Sequence, residues 1–491
     1  MDPLNTLVFL LREFVWPVIA GTAVIWVPLL LLWIAKDWWL EYVRKLKISE
    51  AKFSMIEIKI PKEVYKSPAA MESILTSLYG DTKPPLFTPA IDTKWSTLIT
   101  DFGKWWDALW LGKWPLWWSL EIASIEGNIY FFIRCEPKNR EGIENLIYAQ
   151  FPQAEITEVD DYTKYVPPFK MGNGWDLRGC EYKLKEEFEP LDNKGKKYQN
   201  NALPIKTYVD YGLDKAFQLE ETQKVDPLVP LLQVLGSLGQ GEQAWIQFVI
   251  QGSWAHFENP DKNKAKDKPF VTWQDVGRYW IDQVLLKPWQ AELRVEKHPT
   301  ETIQNDQGKV IPKPVPIYNT GFKDAPEREK PRIEATDRKL TKYGYDTGIR
   351  VIYLGKGEKF KKDKLGEIKN AFKQFNAPNL NSFDAYTGTD DNFDYPWQDY
   401  KDLKKITNRE KMFKRYVKRE FFYPPEMGAT VAIKKMSDKP LVNSTIDKPK
   451  TSVLSTEELA TLFHFPGSVA QTSALGRIEA QKAEPPANLP I

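Results

Sequence analysis

Cysteine and histidine are scarce in this chain of 491 residues: Cys135 and Cys180, and His256, His298 and His464. Two cysteines build no disulfide framework, which suits a reducing cytoplasm. In that compartment the sequon Asn443-Ser444-Thr445 has no meaning. Three scattered histidines exclude a His-rich metal site. Charge of one sign is not in excess either, with Lys+Arg at 68 against Asp+Glu at 66. Bulk charge therefore makes no polyanion binder, and any basic surface must be local.

The phosphate-binding pattern G-x-x-x-x-G-K-[ST] is absent. Gly355-Lys356-Gly357-Glu358-Lys359 imitates it between an expected strand and helix. It lacks the second glycine spacing and the hydroxyl for magnesium, so it reads as a tight turn. The glycines of 236–241 follow a helix and precede a strand, which is a helix stop rather than an anion cradle. Asp390-Asp391-Asn392-Phe393-Asp394 opens like a calcium loop but has Tyr395 and Lys401 where Gly and Glu belong. Asp160-Asp161 reads as a turn or cap. With no convergence of nucleophile, base and orienter, the chain is expected to be non-catalytic, with no cofactor and no metal.

Long apolar runs are also few. Only Pro17–Ala35, PVIAGTAVIWVPLLLLWIA, is long and free of charge. At 1.5 Å per residue it spans about 30 Å, the hydrocarbon thickness of a bilayer. Bulky residues follow it where a signal-peptidase site needs small ones, so a retained single-pass anchor is expected. Lys36, Arg44, Lys45, Lys47 and Lys52 follow the run and Arg12 alone precedes it, which puts the body behind the anchor in the cytoplasm, at the inner membrane. Pro17, Trp26, Pro28, Trp33, Trp38 and Trp39 belong to the anchor and its interfaces, and Pro28 predicts a kink.

Tryptophan, by contrast, is abundant, at 19. Trp95, Phe102, Trp105, Trp106 and Trp110 recur at three- and four-residue spacing on one helical face. That face is read either as a helix on the membrane surface or as one packed on its own domain.

The domain plan has five parts: an anchor and juxtamembrane helix over 1–47, a first α+β sandwich over 53–165 with the Trp-rich insertion 81–116, a second over 200–390 with an insertion at 252–345, a basic helix and strand over 400–436, and a C-terminal helix and Pro-rich tail over 437–491. In the first sandwich Ser54–Ile60 alternates as a strand. Ser67–Tyr79 is helical, with Gly80 as its stop. Trp118–Ile125 and Ile129–Arg134 flank a hairpin turn at Glu126-Gly127-Asn128, Arg140–Gln150 is a helix, and Ala154–Val159 is a strand. This β-α-β-β-α-β order predicts a ferredoxin-like sandwich. A second pass predicts strands at Ile205–Tyr211, Gln243–Gln251, Ile349–Leu354 and Ser382–Tyr386, with helices at Asp226–Leu238 and Lys361–Gln374. The insertion carries a helix at Trp273–Leu286 and a loop, expected to be mobile, at Pro299–Arg332. Ala429–Lys434 reads as a strand. The fold class is thus α+β: a transmembrane helix, then two ferredoxin-like sandwiches in tandem.

The helix Lys401–Phe421 is basic. Its Lys411, Lys414, Arg415, Lys418 and Arg419 are candidate contacts for nucleic acid or anionic lipid. Ser455 and Glu458 form a capping-box pattern that opens a second helix, whose Leu459, Leu462, Phe463 and His464 are candidates for docking a partner.

Several strings resemble a known family: SLEIASIEGNIYFFIRC, YAQFPQAEITEVDDYT, VDPLVPLLQVLGSLGQGEQAWIQFVI, YGYDTGIRVIYL and LSTEELATLFHFPG. It is a membrane-anchored family common in candidate-phyla-radiation bacteria, found upstream of or beside HerA/TraG-like motor ATPases of the conjugation and type IV secretion kind. The resemblance covers nearly all of the soluble body. It implies an accessory role beside a P-loop ATPase, expected on a separate chain because this one stops at Ile491 after a Pro-rich stretch. DNA and a second copy of the chain are further expected partners.

Overall fold

The computed structural model describes residues 51–61, 66–82, 116–166, 174–189, 197–214, 226–253, 257–261, 270–282, 302–304, 310–312, 329–389, 403–422 and 451–466, with isolated positions at 21, 22, 28, 39, 42, 43, 46, 50 and 327. The chain divides into two compact units, one of 1–51, 85–115 and 426–446, the other of 52–84, 116–425 and 447–491. In the first unit Pro28 is helical and exposed, and the Trp39 ring lies 6.0 Å from that of Tyr42. The rest of the apolar run, the Trp-rich face and the expected strand Ala429–Lys434 lie outside the described residues, as does the calcium-like stretch Asp390–Asp394. Among the described residues no helix is long and apolar enough to cross a membrane.

The second unit is a mixed α+β structure built on one large antiparallel sheet. Its elements are β1 (Ser54–Lys59), α1 (Ala69–Thr82), β2 (Trp118–Ile125), β3 (Asn128–Cys135), α2 (Arg140–Gln150), β4 (Glu155–Val159), β5 (Trp175–Leu184), α3 (Val229–Gly236), β6 (Glu242–Gly252), α4 (Trp273–Tyr279), α5 (Lys330–Leu340), β7 (Gly344–Lys356), α6 (Lys364–Phe372), β8 (Phe383–Gly388), α7 (Leu403–Val417), β9 (Ser452–Ser455) and α8 (Thr456–Leu462). Strand order is β8-β5-β7-β6-β2-β3-β1-β4, with β9 beside one end of β7. The two halves therefore share a continuous nine-stranded sheet, joined where β2 pairs with β6 from Trp118 opposite Ile250 to Ile125 opposite Gln243.

Alternation along the strands sends apolar residues to both faces. Ile56, Leu120, Ile122, Ile133, Ile246, Phe248, Ile349 and Val351 meet α1, α2, α3, α6 and α8 in the main core. Met55, Ala123, Phe132, Trp245, Ile352 and Leu354 meet Tyr162 and the apolar face of α7 on the other side. At the β2–β3 turn Glu126 and Gly127 have φ of 53° and 88°, as a tight type I′ hairpin requires. A Cβ added at Gly127 would lie 2.7 Å from the Leu238 carbonyl, so this turn packs on the stop of α3.

Several expectations change. Residues 205–211 are not a strand: 205–207 have no regular structure and 208–211 form a turn. The outer half instead takes β5, Trp175–Leu184, upstream of the expected domain boundary at 200. Its apolar side switches midway. Leu177 faces the α7 side, whereas Cys180, Tyr182 and Leu184 face the main core, so the period-2 signal breaks at Gly179. α1 runs through Gly80 to Thr82 and does not stop there. Within the insertion α4 opens on a capping box of Thr272 and Asp275 and runs on into a π turn at 280–282, while the last part of the expected helix, 283–286, lies outside the described residues. The expected loop Pro299–Arg332 contains the paired segments Thr302–Gln304 and Val310–Pro312, and its last residues already belong to α5.

Candidate functional site

Helix α7 packs along the sheet because Met412, Phe413 and Tyr416 share one side of it and are buried there. Trp245 is the centre of that contact, 5.3 Å from the Tyr416 ring and 6.2 Å from the Phe413 ring. Gly179 leaves room: a Cβ there would come within 3.1 Å of Met412 Cγ. Burial of three such side chains stabilises by about 1.5–3 kcal/mol each.

The five basic candidates on this helix separate into two groups. Lys411, Lys414 and Lys418 are exposed. Arg415 and Arg419 turn inward. Arg419 is buried, so it is not a nucleic-acid or lipid contact, and the sequence expectation is corrected here. Its Nε and Nη2 donate to the Glu121 carboxylate at 3.0 and 3.2 Å, and Nη2 donates to Asp161 at 2.9 Å. Arg415 is half-buried with Nη1 3.7 Å from Glu181 Oε2.

The backbone explains how Arg419 reaches inward. The Lys418 N–H still bonds to the Lys414 carbonyl at 3.1 Å, the Arg419 N–H to Tyr416 at 2.9 Å and the Glu420 N–H to Arg415 at 2.9 Å. The last two bonds are the Schellman pair that ends a helix. Its left-handed position normally takes glycine, yet Arg419 holds it with φ 48°. That conformation costs a non-glycine residue about 1–2 kcal/mol. Trp117 Nε1 fixes the same turn by donating to the Arg419 carbonyl at 2.6 Å.

Beneath the helix a polar row crosses the sheet. Glu121 of β2 stands opposite Gln247 of β6, which stands opposite Arg350 of β7, which stands opposite Glu181 of β5. The Gln247 side chain donates to Glu121 at 3.0 Å and accepts from Arg350 at 3.1 Å. Arg350 Nε donates to Glu181 at 2.8 Å, and its two Nη groups donate to the carbonyls of Arg415 and Glu420 at 3.2 and 3.1 Å. Arg350 thus ties β7 to the turn that ends α7, sharing the Arg415 carbonyl with the Glu420 N–H. Its guanidinium also lies 4.4 Å from the Phe422 ring centroid. Tyr162 donates to Glu121 at 2.8 Å and lies 2.7 Å from the Tyr416 hydroxyl.

Burial alone would push the Glu121 carboxyl up. The charge of Arg419 and hydrogen bonds from Arg419, Ser119 and Tyr162 hold it below the usual carboxylate range instead. Asp161 is likewise lowered against burial by Arg419 and Thr163. Arg419 is raised, because Glu121 and Asp161 outweigh its desolvation. Burial pushes the Tyr162 and Tyr416 hydroxyls well above their ordinary range. These groups form a neutralised internal network. Asp160-Asp161 reads in sequence as a turn or cap, and Asp161 caps the next turn by accepting from the Thr163 N–H at 3.0 Å; its partnership with Arg419 has no sequence signal.

The C-terminal docking candidates are also corrected. Leu459, Leu462, Phe463 and His464 are all buried. The capping box forms as expected, with Ser455 Oγ accepting from the Glu458 N–H and Glu458 accepting from the Ser455 N–H at 2.7 Å. The polar side of α8 does not meet water, however. Glu458 lies 2.8 Å from the buried Lys339, and Glu457 lies 2.8 Å from Lys342. His464 Nε2 sits 3.1 Å from both Asp226 oxygens. β9 and α8 are therefore core elements.

Of the stretch 355–359, Gly355 and Lys356 end β7 and Gly357–Lys359 form a single 3-10 turn after it. Beside it a cleft of about 570 Å³ is lined by Arg178, Lys362, Lys369, Asp363 and Glu367 among others, a mixed set that selects no charge. The 236–241 stretch ends α3 as expected. Among the described residues no group of His, Cys, Asp and Glu is arranged to hold a metal. Cys135 and Cys180 are buried and free; burial pushes their thiols up, to about 12 and about 11. No family model, curated protein or solved structure matches the chain.

Proposed function

We propose that this chain is a non-catalytic, membrane-tethered accessory subunit of a type IV secretion- or conjugation-like translocation system. It docks a separately encoded HerA/TraG-like P-loop ATPase at the cytoplasmic side of the inner membrane. The uncharged run Pro17–Ala35 and the lysines behind it support the tether. The family resemblance supports the class of partner. Each half of the sheet is a ferredoxin-like unit in this reading, supported by the matching strand orders β2-β3-β1-β4 and β6-β7-β5-β8.

The observation that carries a binding role is the division of the cations at the C-terminal end of α7: Arg419 turns inward and, with Arg350 of β7, pins the helix from inside, while Lys411, Lys414 and Lys418 stand outside. The second reading, a nucleic-acid-binding subunit of the same machine, draws on those lysines.

Membrane extracts test the docking role. The full chain is expected to co-purify with a P-loop ATPase. Because 452–466 belongs to the core, the informative truncation removes only 467–491. Purification free of any ATPase, under conditions where the body stays folded, contradicts the reading.

A further inference from the structure

We infer that Lys411, Lys414 and Lys418 form a sequence-independent seat for the phosphate backbone of double-stranded nucleic acid. This rests on the second reading above and names its ligand.

The three lysines occupy one narrow arc. At about 100° per residue they fall within roughly 60° of each other, and at 1.5 Å rise they cover about 10 Å of helix. The duplex carries one phosphate per about 3.4 Å of axis on each strand, so the spacing suits adjacent phosphates. Among the described residues none of the three has an ion-pair partner. Lys411 and Lys414 are three apart, and Lys414 and Lys418 are four apart. Like charges at these spacings destabilise a helix. The buried side of α7 and its arginine network outweigh that cost, so the charges can be displayed on a rigid support.

The surroundings of the arc separate the anionic ligands. A helix that lies on lipid must offer an apolar side to the acyl chains. Here Met412, Phe413 and Tyr416 are buried on the sheet, and the exposed apolar residue of α7, Leu403, is at its opposite end. A single strand is held by bases stacked on aromatic rings. The aromatic residues of α7, Phe413 and Tyr416, are buried. Protein interfaces concentrate energy in aromatic residues and arginine and are poor in lysine. The arginines here face inward. A rigid lysine arc with neither apolar nor aromatic neighbours fits a duplex backbone, read by charge alone.

The test uses the full chain in detergent and a 20-base-pair duplex of random sequence, titrated between 50 and 200 mM salt. Three phosphate contacts give a log–log slope of about −2.7, or roughly a 40-fold loss of affinity over that range. The triple variant K411Q/K414Q/K418Q is expected to fold normally and to lose that slope, and each single variant to lower it by about 0.9. An unchanged slope in the triple variant overturns the inference. So does lysine-dependent binding to phosphatidylserine vesicles without duplex binding, or tighter binding to single strands. Retained co-purification of the ATPase by the triple variant separates failure of this seat from failure of the docking role.

Discussion

Arg419 Nε lies 3.0 Å from Glu121 Oε1, although the two residues are 298 positions apart in the chain. The arginine occupies a helix-ending backbone position where glycine is the ordinary choice. Relief of the left-handed backbone would gain about 1–2 kcal/mol in Arg419→Gly. Leaving Glu121 buried without its cation costs about 3–5 kcal/mol. The second quantity is larger, so Arg419→Gly is expected to lower stability by roughly 1–4 kcal/mol in denaturant titration. A variant as stable as the parent would mean that the pair contributes little.

Acid should release the same network. Glu121 and Asp161 have folded pKa values below their ordinary 4.5 and 3.8. Groups lowered by folding stabilise fully above the ordinary value, and that stability fades as pH falls through the folded value. Stability measured by urea titration from pH 7 to pH 3 is therefore expected to fall below about pH 4.5, more steeply in the parent than in Glu121→Gln. Equal steepness in both would remove Glu121 from the acid transition.

The pair His464–Asp226 works on the other side of neutrality. Burial lowers the imidazole pKa, but the charge and hydrogen bond of Asp226 outweigh it, so the value is raised above 6.5. A raised group stabilises fully below its ordinary value and loses that contribution as pH climbs through the folded one. His464→Gln is expected to be less stable than the parent at pH 6, with the gap narrowing toward alkaline pH. A gap that widens with pH would contradict the ion pair.

Gly348 admits the Phe422 ring against β7: a Cβ there would lie 1.8 Å from Phe422 Cδ2. Gly348→Ala is expected to cost about 1–3 kcal/mol, as overpacking does. Phe422→Ala should relieve the clash, so the double variant should lose less than the two single losses combined. Simple additivity would place the ring elsewhere.

Where apolar residues alternated cleanly, the sequence was legible. β1, β2, β3 and α2 lie within a residue or two of their expected bounds. β5 was not, because its apolar side switches at Gly179 and each half by itself is too short to signal a strand. The buried network was hidden for a related reason. Glu121, Gln247, Arg350 and Glu181 each stand as a lone polar residue among apolar neighbours such as Ala123, Trp245 and Ile352 on that side, so no single strand shows that they form a row. Only the packing of α7, hundreds of residues from β2, turns that side into an interior. The same limit applied to α8, whose Glu457 and Glu458 look solvated in sequence and find cations on α5 and just beyond it only in the fold.

Amide hydrogen exchange of the full chain tests most directly whether α7 is a fixed part of the sheet rather than a loosely docked helix. In the parent, amides of 412–419 are expected to exchange no faster than those of β6 and β7, because both open only with global unfolding. In Glu121→Gln the α7 amides should open first, ahead of the strands. Parent α7 amides exchanging orders of magnitude faster than those of β6 would contradict a helix held from beneath by Arg419 and Arg350.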